Sequence, residues 1–184
     1  MNLEAIHEWI AELDERLCGY GTILILHPDT GLPMKHTMQP EYIEVSFTGN
    51  TRPTTIAAVN EWQAIDIAPT TVEISGFEAD PINGGYVYTG TCEVRPRHLM
   101  ASIAVEAAGN NQTLEFAYFK DSGAGLVMID ATDVIHELRF GGVIENITTQ
   151  SIITLEAGDR LMLMFRNITS TTAVTFETVQ STLL

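Results

Sequence analysis

The sequence predicts a mainly β fold, an antiparallel sandwich or barrel preceded by one short helix. From Tyr20 onward, short apolar runs alternate with polar residues at a period of two, which is the period of a half-buried strand. Clusters of Gly, Asn, Asp and Pro interrupt these runs at spacings of roughly 8 to 12 residues. This spacing is typical of sandwiches and barrels rather than of βαβ units.

The helix is predicted at the amino terminus, where apolar residues recur at spacings of 3, 4, 3 and 4. These residues are Leu3, Ile6, Ile10, Leu13 and Leu17. They form a heptad seam, with Asn2 as N-cap and Gly19 where the helix should end. Two heptads are marginal in water, so the seam needs a partner. Three interpretations stay open: the helix packs on its own domain, bundles in an oligomer, or docks into another protein.

An extended arm is predicted to follow the helix, because residues 28–40 contain three prolines. The chain is therefore expected to divide into the helix at 1–19, an arm with short strands at 20–50, and a β domain at 51–184. Eleven strands are predicted, separated by Gly-rich and Asn-rich turns. They are Thr22 to Leu26, Tyr42 to Phe47, Gln63 to Ile67, Thr71 to Ile74, Tyr86 to Val94, Leu99 to Ala107, Thr113 to Lys120, Val134 to Phe140, Ser151 to Leu155, Arg160 to Asn167 and Ala173 to Val179.

Two of these strands are apolar on both faces. In the strand 160–167, Leu161, Leu163 and Phe165 alternate with Met162 and Met164. In the strand 113–120, Leu114, Phe116 and Tyr118 alternate with Ala117 and Phe119. A half-buried strand needs only one apolar face, so the second face needs another cover. That cover is either a neighbouring subunit or this chain's own arm, residues 20–47.

Charge and cysteine content exclude several classes of function. Nine Lys and Arg against 24 Asp and Glu give a net charge of −15, which repels nucleic acid and anionic lipid headgroups. We therefore expect neither nucleic acid nor membrane as a partner. Cys18 and Cys92 are too few and too far apart for a disulfide framework. No signal peptide or apolar segment of membrane-spanning length is recognised, so synthesis in a cytoplasm without export is expected.

No catalytic, cofactor or metal motif is recognised. The stretch Asp121 to Gly125 lacks the first glycine of a nucleophile elbow and is predicted to be a hairpin turn. Asp130, Asp133, His136 and Glu137 could be imagined as a cation site, but Asp and Thr before a strand are common turn formers, and turn formation is the favoured interpretation. Asn111, Asn146 and Asn167 fit the glycosylation pattern and are interpreted as turn residues. Trp62 is predicted to pack at the edge of the β core.

The order of several segments resembles a known family. The segments are NEWQAIDIAPT, NGGYVYTGTCEV, MASIAVEAAGNNQTLEFAYFKDSG and SIITLEAGDRLMLMFRNITS. They resemble the tumour-necrosis-factor-like jelly roll, shared with complement globular heads, in the form found in bacteriophage virion proteins. Gly85 to Gly90, Tyr118 to Gly123 and Leu155 to Asp159 match the family's turn motifs. Two features depart from it: Asp121 and Ser122 stand where Asn is usual, and Pro96 interrupts an expected strand, which indicates an edge, a bulge or a break.

The resemblance implies a threefold trimer in which Ala117, Phe119, Met162 and Met164 face the axis or a neighbouring subunit. It implies a non-enzymatic virion protein without cofactors, assembled in a host cytoplasm as a capsid decoration, cement or head spike. The N-terminal helix and arm would bind other virion proteins of the capsid or tail. The alternative is a tail fibre or spike head that recognises a host-surface glycan or protein.

Overall fold

The computed structural model describes residues 22–26, 33–37, 41–65, 69–80, 85–90 and 96–184. Strands β1 (Thr22–Leu26) and β2 (Pro33–Thr37) pair with each other as a two-stranded antiparallel sheet. β1 was predicted, whereas β2 lies inside the predicted Pro-rich linker. Proline at the first residue of an edge strand costs no ladder hydrogen bond, which explains how Pro33 fits there. The predicted helix at 1–19 lies outside the described residues.

Five strands form one sheet of a sandwich, in the order β12-β8-β14-β3-β5, with every neighbouring pair antiparallel. They are β12 (Glu145–Ile153), β8 (Arg97–Ala107), β14 (Val174–Leu183), β3 (Tyr42–Thr48) and β5 (Thr71–Ser75). β8 alternates along most of its length between buried and exposed residues. Its apolar side chains therefore cover the core, while its other face meets solvent.

Seven strands form the second sheet, whose main path runs β10-β9-β13-β7-β6. These are β10 (Leu126–Met128), β9 (Gln112–Asp121), β13 (Arg160–Asn167), β7 (Tyr86–Tyr88) and β6 (Phe77–Ala79). Two further strands complete it: β11 (Val134–Leu138) pairs with β9, and β4 (Gln63–Ala64) pairs with β13. Because β10 and β11 pair with different parts of β9, they lie end to end along one edge of the sheet.

The core fills the space between the two sheets. At its centre, Phe165 and Phe176 meet edge to face at 4.7 Å between ring centroids, and Phe116 contacts both rings. Tyr118 is buried and places its hydroxyl 2.6 Å from Ser181 Oγ and 3.1 Å from the Met100 carbonyl oxygen. Burial raises the pKa of this phenol well above its ordinary value. Aromatic contacts between the sheets and this buried polar link both help to hold the sandwich together.

Several predicted strands have different bounds in the structure. The interval Arg160–Asn167 was correct, but β12 begins at Glu145 rather than Ser151, so the interpretation of Asn146 as a turn residue was wrong. β11 ends at Leu138, just before the turn at Gly141 and Gly142. The short strands β6 and β10 were not predicted. A strand of three residues has too short an alternation to be recognised from the sequence, because its pairing with a neighbouring strand, and not its own pattern, stabilises it.

Pro96 lies immediately before β8. β8 begins at the next residue, Arg97, so the proline removes no donor from the ladder.

Candidate interaction surface

Strands β9 and β13 bring four of the predicted interface residues together on one face of the seven-stranded sheet. Directly paired residues of antiparallel strands point to the same side, and Met162 pairs with Phe119 while Met164 pairs with Ala117. The neighbouring positions Leu114, Phe116, Leu161 and Phe165 belong to the core between the sheets. The four residues therefore lie on the opposite, outer face, as the two-sided pattern requires.

All four residues are buried within the single chain: Ala117 is 0%, Phe119 8%, Met162 6% and Met164 8% exposed. Trp62 covers part of them, since its ring meets Phe119 edge to face at 5.0 Å between centroids. We call Ala117, Phe119, Met162, Met164 and Trp62 the outer-face cluster. Trp62 comes just before β4, which pairs with β13 and so holds the indole over this face. Trp62 was predicted to pack at the edge of the β core, and the structure places it against this cluster on the outer face of the sheet.

An ion pair borders the cluster at one end of the strands. Arg166 Nη2 lies 2.5 Å from Glu115 Oε2, and Arg166 Nε donates to the same oxygen at 2.7 Å. Glu115 is buried, and Arg166 is its ion-pair partner. The Arg166 guanidinium also lies 4.6 Å from the Trp62 ring centroid, a cation–π contact. Arg166 thereby links the buried carboxylate to the indole that covers the cluster.

A second ion pair borders the cluster at the opposite end. Arg160 Nη2 donates to Asp121 Oδ2 at 3.0 Å, and Arg160 Nη1 lies 3.7 Å from Asp80 Oδ2. The other oxygen of Asp121 accepts the backbone N–H groups of Gly123 and Gly125 at 2.8 and 3.0 Å. These hydrogen bonds, together with Arg160, lower the pKa of Asp121. Residues 121–125 form the predicted hairpin turn, and Asp121 organises it.

Asp159 anchors the start of β13 beside this turn. It accepts hydrogen bonds from Ser122 Oγ at 2.5 Å and from the Glu156 N–H at 2.8 Å, and it pairs with Lys120 Nζ at 3.2 Å. Burial alone would raise the pKa of its carboxyl, but the hydrogen bonds and the Lys120 charge outweigh burial and lower it. The matched turn motif Leu155 to Asp159 is therefore a rigid connection with a negative charge at its end.

The apolar outer face continues from the buried cluster to exposed residues at the sheet edge. Met128 pairs with Phe119 and Leu126 with Asp121, so both share the outer face. Ile135 of β11 pairs with Glu115 and lies on the same face. All three side chains are exposed. One apolar surface thus runs from Trp62 across β13 and β9 to the edge formed by β10 and β11.

A buried ion pair that the sequence analysis did not identify lies at the start of β8. Arg97 Nη2 lies 2.5 Å from both Glu41 Oε2 and the Tyr88 hydroxyl, and Tyr88 donates to Glu41 at 2.7 Å. Gly76 makes room for this carboxylate, because an added Cβ there would come within 2.8 Å of Glu41 Cγ. No local pattern marks Glu41 and Arg97, since the pair joins residues that are distant in the sequence.

The residues considered as a cation site form a turn, which is the interpretation that the sequence favoured. Within the part of the chain that the structure describes, no group of three or more His, Cys, Asp or Glu side chains could hold a metal ion. Asp130 and Asp133 are exposed, and Ala131 between them has a φ of 61°, typical of a turn. Thr132 Oγ1 donates to the Ile129 carbonyl at 2.7 Å. His136 instead pairs with Glu145 at 2.6 Å and joins β11 to β12.

The remaining predicted interface residues, Leu3, Ile6, Ile10, Leu13 and Leu17, lie outside the described residues. In the described ranges, no helix has the length and apolar character needed to cross a membrane.

Comparisons with known proteins support the fold. No protein-family model and no curated protein matches the chain. Among solved structures, it is similar to murine APRIL at pH 5.0, with a TM-score of 0.51 and 9% identity over 78% of this chain and 98% of that one. It is also similar to Eiger TNF from S. frugiperda, with a TM-score of 0.50 and 11% identity over 78% of this chain and 92% of that one.

A weaker likeness, to PRD1 vertex protein P5, has a TM-score of 0.46 and 10% identity over 89% of this chain and 82% of that one. At the identities of the two stronger matches, similarity shows the fold alone. The chain is therefore a mainly β, antiparallel sandwich whose structural neighbours are TNF-like jelly rolls.

Proposed function

We propose that this chain is a non-enzymatic structural protein of a bacteriophage virion, forming a homotrimeric decoration, cement or head spike on the particle. The observation that carries the trimer is the apolar outer face of the seven-stranded sheet. The buried outer-face cluster continues into Leu126, Met128 and Ile135, which are exposed in the single chain. Exposed apolar side chains continuous with a buried apolar surface are typical of a protein interface.

Charge supports the same surface as the contact between subunits. Each copy carries a net charge of −15, so copies repel unless the contact surface has few unpaired carboxylates. On this face, Asp121 is paired with Arg160 and Glu115 with Arg166. The apolar surface is therefore bordered by neutralised pairs. Subunits related by a threefold axis can bury it by packing the edge of one subunit on the face of the next.

The virion role is supported by the resemblance of the segment order between Asn60 and Leu184 to jelly rolls of phage virion proteins. The N-terminal heptad seam supplies a docking element, because its five apolar residues need a partner surface. We therefore assign attachment to the particle to residues 1–19 and trimer formation to the sandwich.

Light scattering after size exclusion tests the trimer. We expect a mass about three times the 20.2 kDa chain mass at micromolar concentration. A monomer at that concentration would exclude the trimer.

Electron microscopy of particles with and without this protein tests the virion role separately. Added density on the capsid shell would support a decoration, cement or head spike. Density on the tail would instead support the fibre alternative. An unchanged particle that contains no copy of the chain would contradict both.

A further inference from the structure

The beginning of strand β3 is attached to more than its two ladder neighbours. β3 pairs with β14 on one side and with β5 on the other, and Tyr42 is its first residue in the ladder. Glu41 stands immediately before this first pair. Its carboxylate contacts Tyr88 of β7 and Arg97 of β8, two strands that do not neighbour β3. Glu41 therefore fastens the beginning of β3 to both sheets of the sandwich.

The two side chains that hold Glu41 are themselves fixed. Tyr88 and Arg97 are both fully buried, and the guanidinium lies 4.5 Å from the centroid of the phenol ring, a cation–π contact. The Tyr88 N–H donates to the Asp159 carbonyl at 2.8 Å, and the Tyr88 carbonyl accepts the Gly158 N–H at 2.8 Å. The carboxylate of Glu41 is thus tied to groups that the core and a backbone turn hold in place.

Two glycines leave room for this carboxylate. Gly76 lies between β5 and β6, and its carbonyl accepts the N–H groups of Thr89 and Gly90 at 2.9 and 3.2 Å. A Cβ added at Gly90 would collide with Glu41 Oε1, and one added at Gly76 would press on Glu41 Cγ. The Glu41 side chain therefore lies in a narrow slot between two backbone segments, and only glycine fits on either side of it.

The other carboxylate of β3 shows the contrast. Glu44 accepts a hydrogen bond from Gln180 Nε2 at 3.3 Å on the exposed outer face, where water competes with such contacts. Separation of Glu41 from Arg97 would instead leave a buried guanidinium without this carboxylate, which is strongly unfavourable. The side-chain attachment at the beginning of β3 is therefore much stronger than the one farther along the strand.

We propose that Glu41 is a latch that prevents β3 from peeling off the sheet when the chain before it is pulled. Tension on the residues before Glu41 reaches the sandwich at this residue, one position ahead of the first ladder pair. A strand pulled from its end loses its ladder pairs one after another, so resistance at the first pair protects the rest. Under the proposed function, the partner bound to residues 1–19 supplies the tension. The latch itself is a property of the single chain, so it can be tested without particles and independently of the virion role.

Hydrogen exchange measured by mass spectrometry on the full-length protein tests the latch. The double variant Glu41→Ala, Arg97→Met removes the carboxylate together with the guanidinium, so that no buried charge is left unpaired. The matched control is Glu44→Ala, which removes the exposed carboxylate of the same strand. Circular dichroism confirms that each variant is folded.

We expect amides of β3 and β5 to exchange about tenfold faster in the double variant, because the hydrogen bonds to a charged group that oppose local opening are lost. Amides of β9 and β13 should exchange as in the wild type, and Glu44→Ala should change neither pair of strands. Unchanged exchange in β3 would overturn the proposal. An equal increase in β3, β9 and β13 would also overturn it, since a general loss of stability would then explain the result.

Tyr88→Phe provides a milder test if the double variant does not fold. This substitution removes the hydroxyl that donates to Glu41 and keeps the ring beside Arg97. We expect exchange about threefold faster in β3 and β5, in line with the loss of one hydrogen bond. Wild-type exchange rates in these strands would contradict the latch.

Forced unfolding in optical tweezers tests the response to tension directly. The full-length chain is pulled by handles attached at its two ends. The double variant should show a short extension at low force as β3 detaches, whereas the wild type should resist to a higher force before it extends. Identical force–extension traces for the two proteins would overturn the proposal.

Discussion

The outer faces of the two sheets differ, although both sheets cover the same core. On the five-stranded sheet, a row across four strands consists of Thr148, Ser102, Gln180 and Ser46, all polar and at least partly exposed. On the seven-stranded sheet, a row across the three strands β10, β9 and β13 consists of Met128, Phe119 and Met162, all apolar. β8 alternates between buried and exposed residues along most of its length, whereas β9 is buried without interruption from Leu114 to Phe119.

This difference relates the burial pattern of a strand to what covers each of its two faces. Alternation needs only one core, because solvent satisfies the polar face. Continuous burial needs a second cover, and Trp62 supplies part of it within the chain. The side chains at the β10 and β11 edge are apolar and exposed in the single chain, and under the proposed function a neighbouring subunit covers them.

Charge placed on the apolar outer face should have the largest effect. Met162→Glu with Met164→Glu puts two carboxylates at buried positions, where an uncompensated charge costs several kcal/mol. We expect dissociation of the oligomer and a lower melting temperature, measured by light scattering and circular dichroism. Met100→Glu with Ser102→Glu has the same spacing on the polar face and should change neither. A double variant at 162 and 164 that keeps its oligomer mass would contradict the interface assignment.

Removal of the aromatic cover should have the second largest effect. Trp62→Ala removes the contacts with Phe119 and Arg166, and we expect it to lower the free energy of unfolding by about 2 kcal/mol. The loss falls short of a full core truncation because Trp62 is only half-buried. Trp62→Phe keeps the ring contact and should recover part of the stability. Urea unfolding measures both variants, and wild-type stability in Trp62→Ala would show that the indole is not a significant cover.

Acidification should weaken the border of the apolar face at the start of β13. The folded-state pKa of Asp159 is lowered, so its contribution to stability is complete above the ordinary carboxyl value of 3.8 and is lost as pH falls through the folded value. Asp121 acts in the same direction. We expect urea midpoints to fall in this acid range. Asp159→Asn should be less stable at neutral pH and should lose less further stability on acidification. If its urea midpoint instead falls with pH in parallel with that of the wild type, this role of Asp159 is contradicted.

Deletion of residues 1–19 should have the smallest effect on the sandwich. The Pro-rich stretch after them can separate the helix from the β domain, so we expect a soluble protein with an almost unchanged melting temperature. Incorporation into virions should nevertheless be lost, as measured by particle composition. A truncated protein that aggregates or unfolds would show that the helix is part of the domain's own core.

The sequence by itself determined the strand pattern and the class of fold. Period-two alternation and turn residues identified most long strands, and the interval of β13 was correct, because these signals arise from neighbouring residues in the chain. The apolar character of both faces of β9 and β13 was also visible, since it needs only the alternation of side chains along one strand. The order of the turn motifs led to the jelly roll.

Only the tertiary structure decided which residues meet. The pairing of Met162 with Phe119, the position of Trp62 over them and the buried contact of Arg97 with Glu41 all join residues far apart in the sequence. Such contacts depend on sheet order and register, which the cooperative packing of the whole core selects. No local pattern encodes them, because each strand's alternation is compatible with more than one neighbour.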